Sequence, residues 1–542
     1  MTPSVVPPRA VPPRAARPAP RLRTAMRRIA RLAAGGALLA AGPLALLSCD
    51  RTVAPTEGLG TLAPASADAA AGSWRMLVLT APDQIPVPAP AADTSAAYRA
   101  ELAAVKAAQA TMTDAQRAKV AYWSGGGVLR WNQILRELVA RYNLPPAPRD
   151  DGSYVFPDAE NPFADPAFPF ANPPYAARSY SYVSVAQYEA LKAAWHYKYL
   201  YHRARPSDAD PSIAAAAPSN GLPGYPSEDA VISGVTAEML KLLFPAAVEE
   251  ITRDAADERE AAVLSGRAAA SDVAAGLALG KAVAAVLVAR ARADGTGAAV
   301  GNAAQWKALA DSAAARGEVP WVSQEAPKRP PMLPNFGRVQ AWTLTAPQLA
   351  ALEPPPPPST NSAQFKADLA EVKRVADHLT REQLAVALKW NDGAGTYTPP
   401  GHWNDIAAEY VRDARMSEVR AARSFALLNM AMHDASVGCW SVKYRYFNPR
   451  PSQMDPSIKT SIGLPNFPSY PSGHSTFSAA AADVLGYLFP AAADTFQVQA
   501  EEAGMSRLYG AIHYRSDIEG GKLHGHRIGA AVVQAARADG AQ

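Results

Sequence analysis

Three short segments in the C-terminal part of the chain hold side chains whose types and spacing could do chemistry together. They are Lys443 with Arg450-Pro451, then Pro471-Ser472-Gly473-His474, then Ser506-Arg507 with His513 and Asp517. One lysine and two arginines supply three fixed positive charges, and forked guanidinium donors suit a tetrahedral or trigonal oxyanion. Ser472 and the Gly473 amide add neutral donors at an expected helix N-terminus, where the dipole also favours an anion. Two histidines complete a set able to attack one face of the anion and donate a proton on the other. Asp517 follows His513 by one helical turn, the spacing that holds an imidazole in one tautomer.

In this order and with these internal spacings, the three segments resemble the signature of the type 2 phosphatidic acid phosphatase and vanadium-dependent haloperoxidase superfamily. The resemblance runs from about Phe425 to Gly529. It implies a helical bundle in which Lys443, Arg450, Ser472, Gly473 and Arg507 bind the oxygens of phosphate or vanadate. His513 would then be the nucleophile of a phosphatase or the vanadium ligand of a haloperoxidase. His474 would be the general acid in the first case and would assist peroxide activation in the second, with Asp517 orienting His513. One pocket fits both chemistries because five-coordinate vanadate resembles the in-line phosphoryl-transfer transition state. Trp440 and Phe467 look like the pocket-lining aromatics of haloperoxidases, whereas His513-Tyr514-Arg515-Ser516-Asp517 and the short gap from His474 to Ser506 look more like soluble bacterial acid phosphatases. The sequence alone leans to a phosphatase acting on a small phosphomonoester without a cofactor. The alternative is a haloperoxidase with vanadate on His513, taking halide and peroxide. A third reading is a non-catalytic, lipid-anchored anion-binding scaffold. No metal cation site is expected: His524 and His526 point to different helix faces, and His402 and His433 read as hydrogen-bonded structural histidines.

The elements that must position these residues come in two copies. Lys198-Tyr199, Arg205-Pro206, Tyr225-Pro226-Ser227 and Leu243-Phe244-Pro245 recur as Lys443-Tyr444, Arg450-Pro451, Tyr470-Pro471-Ser472 and Leu488-Phe489-Pro490, all at one offset of 245 residues. Upstream, Tyr98, Lys106, Thr113, Gln116 and Trp123 align with Phe365, Lys373, Thr380, Gln383 and Trp390 at an offset of 267, so the first copy carries a net insertion, within the Pro/aromatic-rich stretch Pro145 to Tyr175. A period this long indicates tandem duplication of a whole domain. The first copy keeps Lys198, Arg205, Ser227 and Asp272, but Gly473, His474, Arg507 and His513 correspond to Glu228, Asp229, Ala262 and Ala268. It lacks both histidines, and its basic residues are expected to pair with Glu228 or Asp229.

Ala-rich segments with apolar residues at i, i+3, i+4 and i+7 and no sustained alternation predict an all-α fold, two helical bundles packed as an intramolecular pseudo-dimer. The expected domains are a degenerate first repeat over 74–325, a stiff, extended Pro-rich linker over 326–360 and the catalytic repeat over 361–542. Before them, Arg21 to Arg31 and the uncharged stretch Leu32 to Ser48 read as an export signal over 1–48, with Met26 a possible true start. Leu46-Leu47-Ser48-Cys49 looks like a lipoprotein cleavage box, so Cys49 would carry the lipid and 49–73 would be a tether, placing the protein on the outer side of a bacterial membrane. No other window approaches eighteen uninterrupted apolar residues, so the anchor would be the membrane contact. With 53 Lys+Arg against 49 Asp+Glu over 542 residues, the formal charge of +4 gives no argument for a nucleic-acid partner. Two cysteines, Cys49 and Cys439, build neither a disulfide framework nor a cysteine zinc site, and Cys439 reads as a buried small hydrophobe.

Overall fold

Ser417 opens the longest helix of the second half by accepting a hydrogen bond from the Arg420 amide at 3.2 Å, and Asn172 opens its counterpart through the Tyr175 amide at 3.1 Å. Such side-chain caps satisfy amides that the first turn leaves unpaired. The computed structural model describes residues 59–145, 169–216, 219–326 and 328–541. The export signal and Cys49 lie outside the described residues, as does most of the Pro145–Tyr175 stretch. No strand occurs among the described residues.

The helices of the first half are α1 (Ala96–Ala110), α2 (Asp114–Trp123), α3 (Gly127–Tyr142), α4 (Pro173–Tyr201), α5 (Pro206–Ala209), α6 (Glu228–Leu243), α7 (Val248–Leu264), α8 (Ala270–Ala293) and α9 (Ala303–Ala315). After the short α10 (Ala346–Ala351) come α11 (Ala363–Asp377), α12 (Arg381–Lys389), α13 (Thr398–Asp413), α14 (Glu418–Tyr446), α15 (Pro451–Met454), α16 (Gly473–Leu488), α17 (Ala493–Tyr509) and α18 (Arg515–Ala536). From α4 to α6 the boundaries recur in α14 to α16 at the sequence offset, and both 29-residue helices stop at a left-handed residue, His202 or Phe447. Both copies carry a cis peptide before the aligned prolines, Tyr225–Pro226 and Tyr470–Pro471.

Helices α4 and α14 pack against each other at the centre of the fold. Asn429 on α14 reaches Ser184 on α4 at 3.4 Å, and these two residues are themselves one offset apart. Contact between equivalent residues is what a two-fold axis requires. Around that point Asn404 of α13 exchanges hydrogen bonds with Asn429 at 2.7 and 2.9 Å and accepts one from Asn132 of α3 at 2.8 Å, which satisfies buried amides where the halves meet.

In the second half α18 lies tightly along α16. A Cβ on Gly521 would meet the Ser472 carbonyl at 2.6 Å, so glycine is what lets α18 reach the N-terminal turn of α16. The aligned Gly276 brings α8 equally close to Ser227. Helix α8 is long and apolar enough to cross a membrane, although the sequence suggested no such window; here it packs along α6 and α4.

Two expectations for the connecting segments are corrected. The expected tether is docked from residue 59 onward. Asp68 pairs with Arg420 and accepts from the Ser417 hydroxyl at 2.5 Å, Trp195 donates to the Ala67 carbonyl at 2.9 Å, and Ala71 is buried. A single buried carboxylate facing a half-buried arginine outweighs a composition typical of tethers. The Pro-rich linker is not simply extended either: it contains α10, and the Asp434 carboxylate captures the amides of Trp342, Thr343 and Leu344 at 2.7, 2.8 and 3.3 Å.

Candidate active site

The last two turns of α14 carry Trp440 and Lys443, and the chain then turns at Phe447 to deliver Arg450, the residue before α15. The stretch Phe467–Ser472 crosses beneath them and ends in Ser472, whose hydroxyl caps α16 by accepting from the Ser475 amide at 3.3 Å. The turn from α17 into α18 supplies Arg507, His513 and Asp517. Asp517 caps α18 through the Tyr514 amide at 3.1 Å and accepts from His513 Nδ1 at 2.8 Å and Ser469 Oγ at 2.5 Å. One carboxylate therefore starts the helix and sets the tautomer. With Nδ1–H donated to Asp517, the Nε2 lone pair of His513 faces the Arg450 guanidinium, 3.0 Å from Nη1.

A cavity of about 190 Å³ opens on this centre. Gly473, His474, Arg507, His513, Trp440 and Phe467 line it. Lys443, Arg450, Ser472 and Asp517 stand immediately behind. Lys443 differs from expectation: its ammonium donates to the carbonyls of Pro468 and Ser469, both at 2.9 Å, and of Pro471 at 2.5 Å. It closes the 468–471 turn and acts on the cavity through its charge, with Cys439 Sγ a further, longer donor to the Pro471 carbonyl at 3.9 Å. Arg450 donates to the Phe467 and Ile512 carbonyls at 3.0 and 2.8 Å, which leaves Nη2 buried without a partner. Arg507 donates to Ser506 Oγ at 3.0 Å and to the carbonyls of Trp390 and Asn391. The rings of Trp440 and Phe467 lie 5.1 Å apart, with Lys443 Nζ and the Arg450 guanidinium each 5.0 Å from the Phe467 ring.

The electrostatics are those of a cation cluster short of counter-charge. Burial pushes Lys443 down to about 7, Arg450 to about 10 and Arg507 to about 9. Burial, then the charges of Arg450 and Lys443, hold His513 well below the usual histidine range, so its ring is neutral and Nε2 carries a lone pair turned toward Arg450 Nη1. Burial raises Asp517 to about 6 against its hydrogen bond from Ser469. Burial and Arg507 likewise keep His474 neutral, and its Nε2 is buried without a hydrogen-bond partner. Unpaired buried donors around three desolvated cations fit an oxyanion, phosphate or vanadate, with His513 Nε2 as the bonding atom. Gly473 leaves the space for it, since a Cβ there would meet nothing closer than 3.7 Å.

The first copy fills that same space with its own carboxylate. Glu228, in the place of Gly473, accepts from Lys198 at 2.7 Å and pairs with Arg205, and although burial works the other way these two cations hold it down to about 2. Asp229, in the place of His474, pairs with Arg267 at 2.9 Å.

Sequence reasoning missed Asp392 and assigned His402 to structure. Asp392 lines the cavity beyond α12, with His402 Nδ1 at 3.1 Å on one side and His474 Nε2 at 3.6 Å on the other. The cue available was the turn-forming Asn391-Asp392-Gly393 directly after the aligned Trp390. The other histidines keep their structural reading: His433 faces the Gln340 carbonyl at 3.2 Å, His526 meets Asp483 at 3.0 Å and His524 is buried. Cys439 is buried and free. Among the described residues no group of three or more His, Cys, Asp or Glu side chains could hold a metal ion.

Residues 423–540 match the PAP2 superfamily, so the superfamily resemblance read from the sequence holds from Trp440 to Asp517, while Asp392 and His402 lie outside the match. The chain is also similar to a solved bacterial vanadium-dependent iodoperoxidase, at 26% identity and a TM-score of 0.51 over 67% of this chain and 91% of that one. A bacterial vanadium-dependent chloroperoxidase in its holo form aligns at 12% identity and a TM-score of 0.46, covering 68% of this chain and 92% of that one. No curated protein sequence matches the chain.

Proposed function

We propose that this chain is a vanadate-dependent haloperoxidase, oxidising halide with hydrogen peroxide, built as a tandem duplication in which the second copy holds the site. The observation that carries this reading is the likeness to the iodoperoxidase, which covers 91% of that chain and extends well beyond residues 423–540. Trp440 and Phe467 beside the cation cluster agree with it. Arg450, Arg507 and the Gly473 amide would hold vanadate's oxygens, Lys443 would balance their charge, and His513 Nε2 would bond the vanadium. Bound vanadate would supply Lewis-acid activation of peroxide toward halide. The chain's own part is to keep His513 in its Nδ1–H tautomer, to exclude water with Trp440, Phe467 and Phe477, and to offer His474 Nε2 for proton transfer.

The second reading, a phosphomonoester hydrolase, uses the same residues and is the one toward which His513-Tyr514-Arg515-Ser516-Asp517 leans. His513 Nε2 would attack phosphorus, the bond to the leaving oxygen would break, and His474 would protonate that oxygen. The test compares the two directly. Protein stripped of anions and reloaded with orthovanadate should oxidise iodide or bromide when peroxide is added, and inorganic phosphate should inhibit by competition. Phosphohistidine trapped on His513 by rapid quench, with no vanadate-dependent halide oxidation, would replace the first reading with the second.

We also propose that the protein is exported and held to a membrane by lipid on Cys49. Cys49→Ser should release it into the soluble fraction, and membrane association that survives the substitution would overturn this.

A further inference from the structure

Two carboxylates line the cavity: Glu325 pairs with Arg329 at 2.8 Å, while Asp392 has no task in either reading. Asp392 sits in a left-handed conformation, φ 46°, at the start of the loop 391–397. Asn143, at the end of α3 in the first half, ties that loop down. Its side chain donates to the carbonyls of Gly393 and Thr396 at 2.9 and 3.0 Å, and its own carbonyl accepts from the Gly395 amide at 2.8 Å. Arg507 faces Asp392 electrostatically but directs its donors at Ser506 and at the Trp390 and Asn391 carbonyls. The group bonded to the carboxylate is His402, whose Nδ1 lies 3.1 and 3.3 Å from its two oxygens. His402 is in turn fixed by stacking on Trp390, ring centroids 4.2 Å apart and 24° from parallel, and Trp390 is buried and donates to Glu502 at 2.7 Å. On its far side Asp392 Oδ2 comes within 3.6 Å of His474 Nε2, the buried ring nitrogen that has no hydrogen-bond partner.

We propose that His402 is a positioning residue for His474: its Nδ1–H fixes the Asp392 carboxylate beside the His474 ring, where that carboxylate stabilises the protonated imidazole. His474 must hold a proton to deliver it to a reacting oxygen, the N–H bonding pair staying behind as the Nε2 lone pair. Burial, Arg507, Lys443 and any charge on His402 oppose that protonation, and a hydrogen bond to the Trp390 carbonyl favours it. The remaining charged neighbours of the pair are Lys389 and Glu502 beside Trp390, and Asp405 and Arg136 near Tyr397. Asp392 is the carboxylate next to Nε2, and a carboxylate so close favours the charged ring only while it is held ionised and in place. The inference rests on the superfamily site common to both proposed chemistries, since His474 moves a proton in each.

The test uses the whole chain with sulfate as the bound anion, so it reports on His474 whichever reaction the protein runs. The His474 ring is followed by NMR as pH is varied in wild type, His402→Phe and His402→Asn. Phenylalanine keeps the stack on Trp390 and loses the donor, whereas asparagine loses the stack and keeps a donor near the Nδ1 position. The expected result is an approximately tenfold loss of His474 proton affinity in His402→Phe, little change in His402→Asn, and the same loss in Asp392→Asn. Melting temperatures taken alongside separate this from general loosening. An unchanged His474 titration in His402→Phe or Asp392→Asn would overturn the proposal, as would an equal shift in both His402 variants. So would a wild-type His474 that stays neutral down to about pH 4 with sulfate bound. Should His402→Phe fail to fold, Asp392→Asn decides alone.

Discussion

Lys443 shows what one buried charge without a carboxylate does to ligand binding. Its ammonium is fully buried, its donors go to three carbonyls, and burial pushes it down to about 7. A bound oxyanion favours the charged form, so the free protein binds an anion with Lys443 already protonated below about pH 7 and must take up a proton to do so above it. The sign follows: affinity is greatest below pH 7 and falls, by up to about tenfold per pH unit, as pH rises through that value. Sulfate is the right probe, because it does not itself titrate between about pH 6 and about pH 9. Calorimetry in buffers of different ionisation enthalpy should show uptake of close to one proton at pH 8, and Lys443→Met should remove that uptake along with most of the affinity. That Arg450, His474, Arg507, His513 and Asp517 would come together was legible from type and spacing, because they carry their chemistry in their side chains; that Lys443 would spend its donors on three carbonyls was not. Nor was Asp392. Asn391-Asp392-Gly393 marks a turn in the sequence, but the role of Asp392 depends on His402 reaching it from α13 and on the approach to His474, and neither contact leaves a mark in local sequence.

Among the elements, the aligned pair α6 and α16 shows how one helix start can be an open site in one copy and a filled one in the other. Both begin after a serine cap, Ser227 or Ser472, and both face a lysine and an arginine from the preceding long helix and its exit loop. Gly473 leaves the space open, whereas the Glu228 carboxylate occupies it and is bound by Lys198 and Arg205. Glu228→Gln removes the counter-charge of two buried cations while conserving shape. Breaking a buried pair from one side costs about 3–5 kcal/mol. The expected outcome is therefore a drop in melting temperature of several degrees, with the second copy's anion affinity unchanged in the protein that remains folded. A variant as stable as wild type would show that Glu228 does not hold the first copy together. The helix boundaries were legible because caps, Pro positions and apolar periodicity are local. The behaviour of 59–73 and of the Pro-rich linker was not, because their order comes from single distant partners, Arg420 for Asp68 and Asp434 for the amides of 342–344.

For the whole molecule, the question is whether the second half can hold its own site. Its central helix α14 lies with one face on α4, and buried polar groups are paired where the halves meet, Asn429 of α14 to Ser184 of α4 and Asn404 of α13 to Asn132 of α3. The first half also enters the cavity itself, through Asn143 and Pro173 in its wall and through Asn143's hold on the loop that carries Asp392. Removing the first half would expose the apolar face of α14 and strand Asn404 and Asn429 at a bare surface, and it would leave the 391–397 loop without its anchor. A degenerate copy is retained, on this view, because it completes the core and wall of the working one. Residues 361–542 expressed alone should therefore be insoluble or molten, with exposed apolar surface detectable by dye binding and no sulfate binding by calorimetry. Co-expression with residues 59–360 as a separate chain should restore a soluble complex that binds the anion. Were the isolated second half to fold cooperatively and bind sulfate with full affinity, the first half would have no part in building the site.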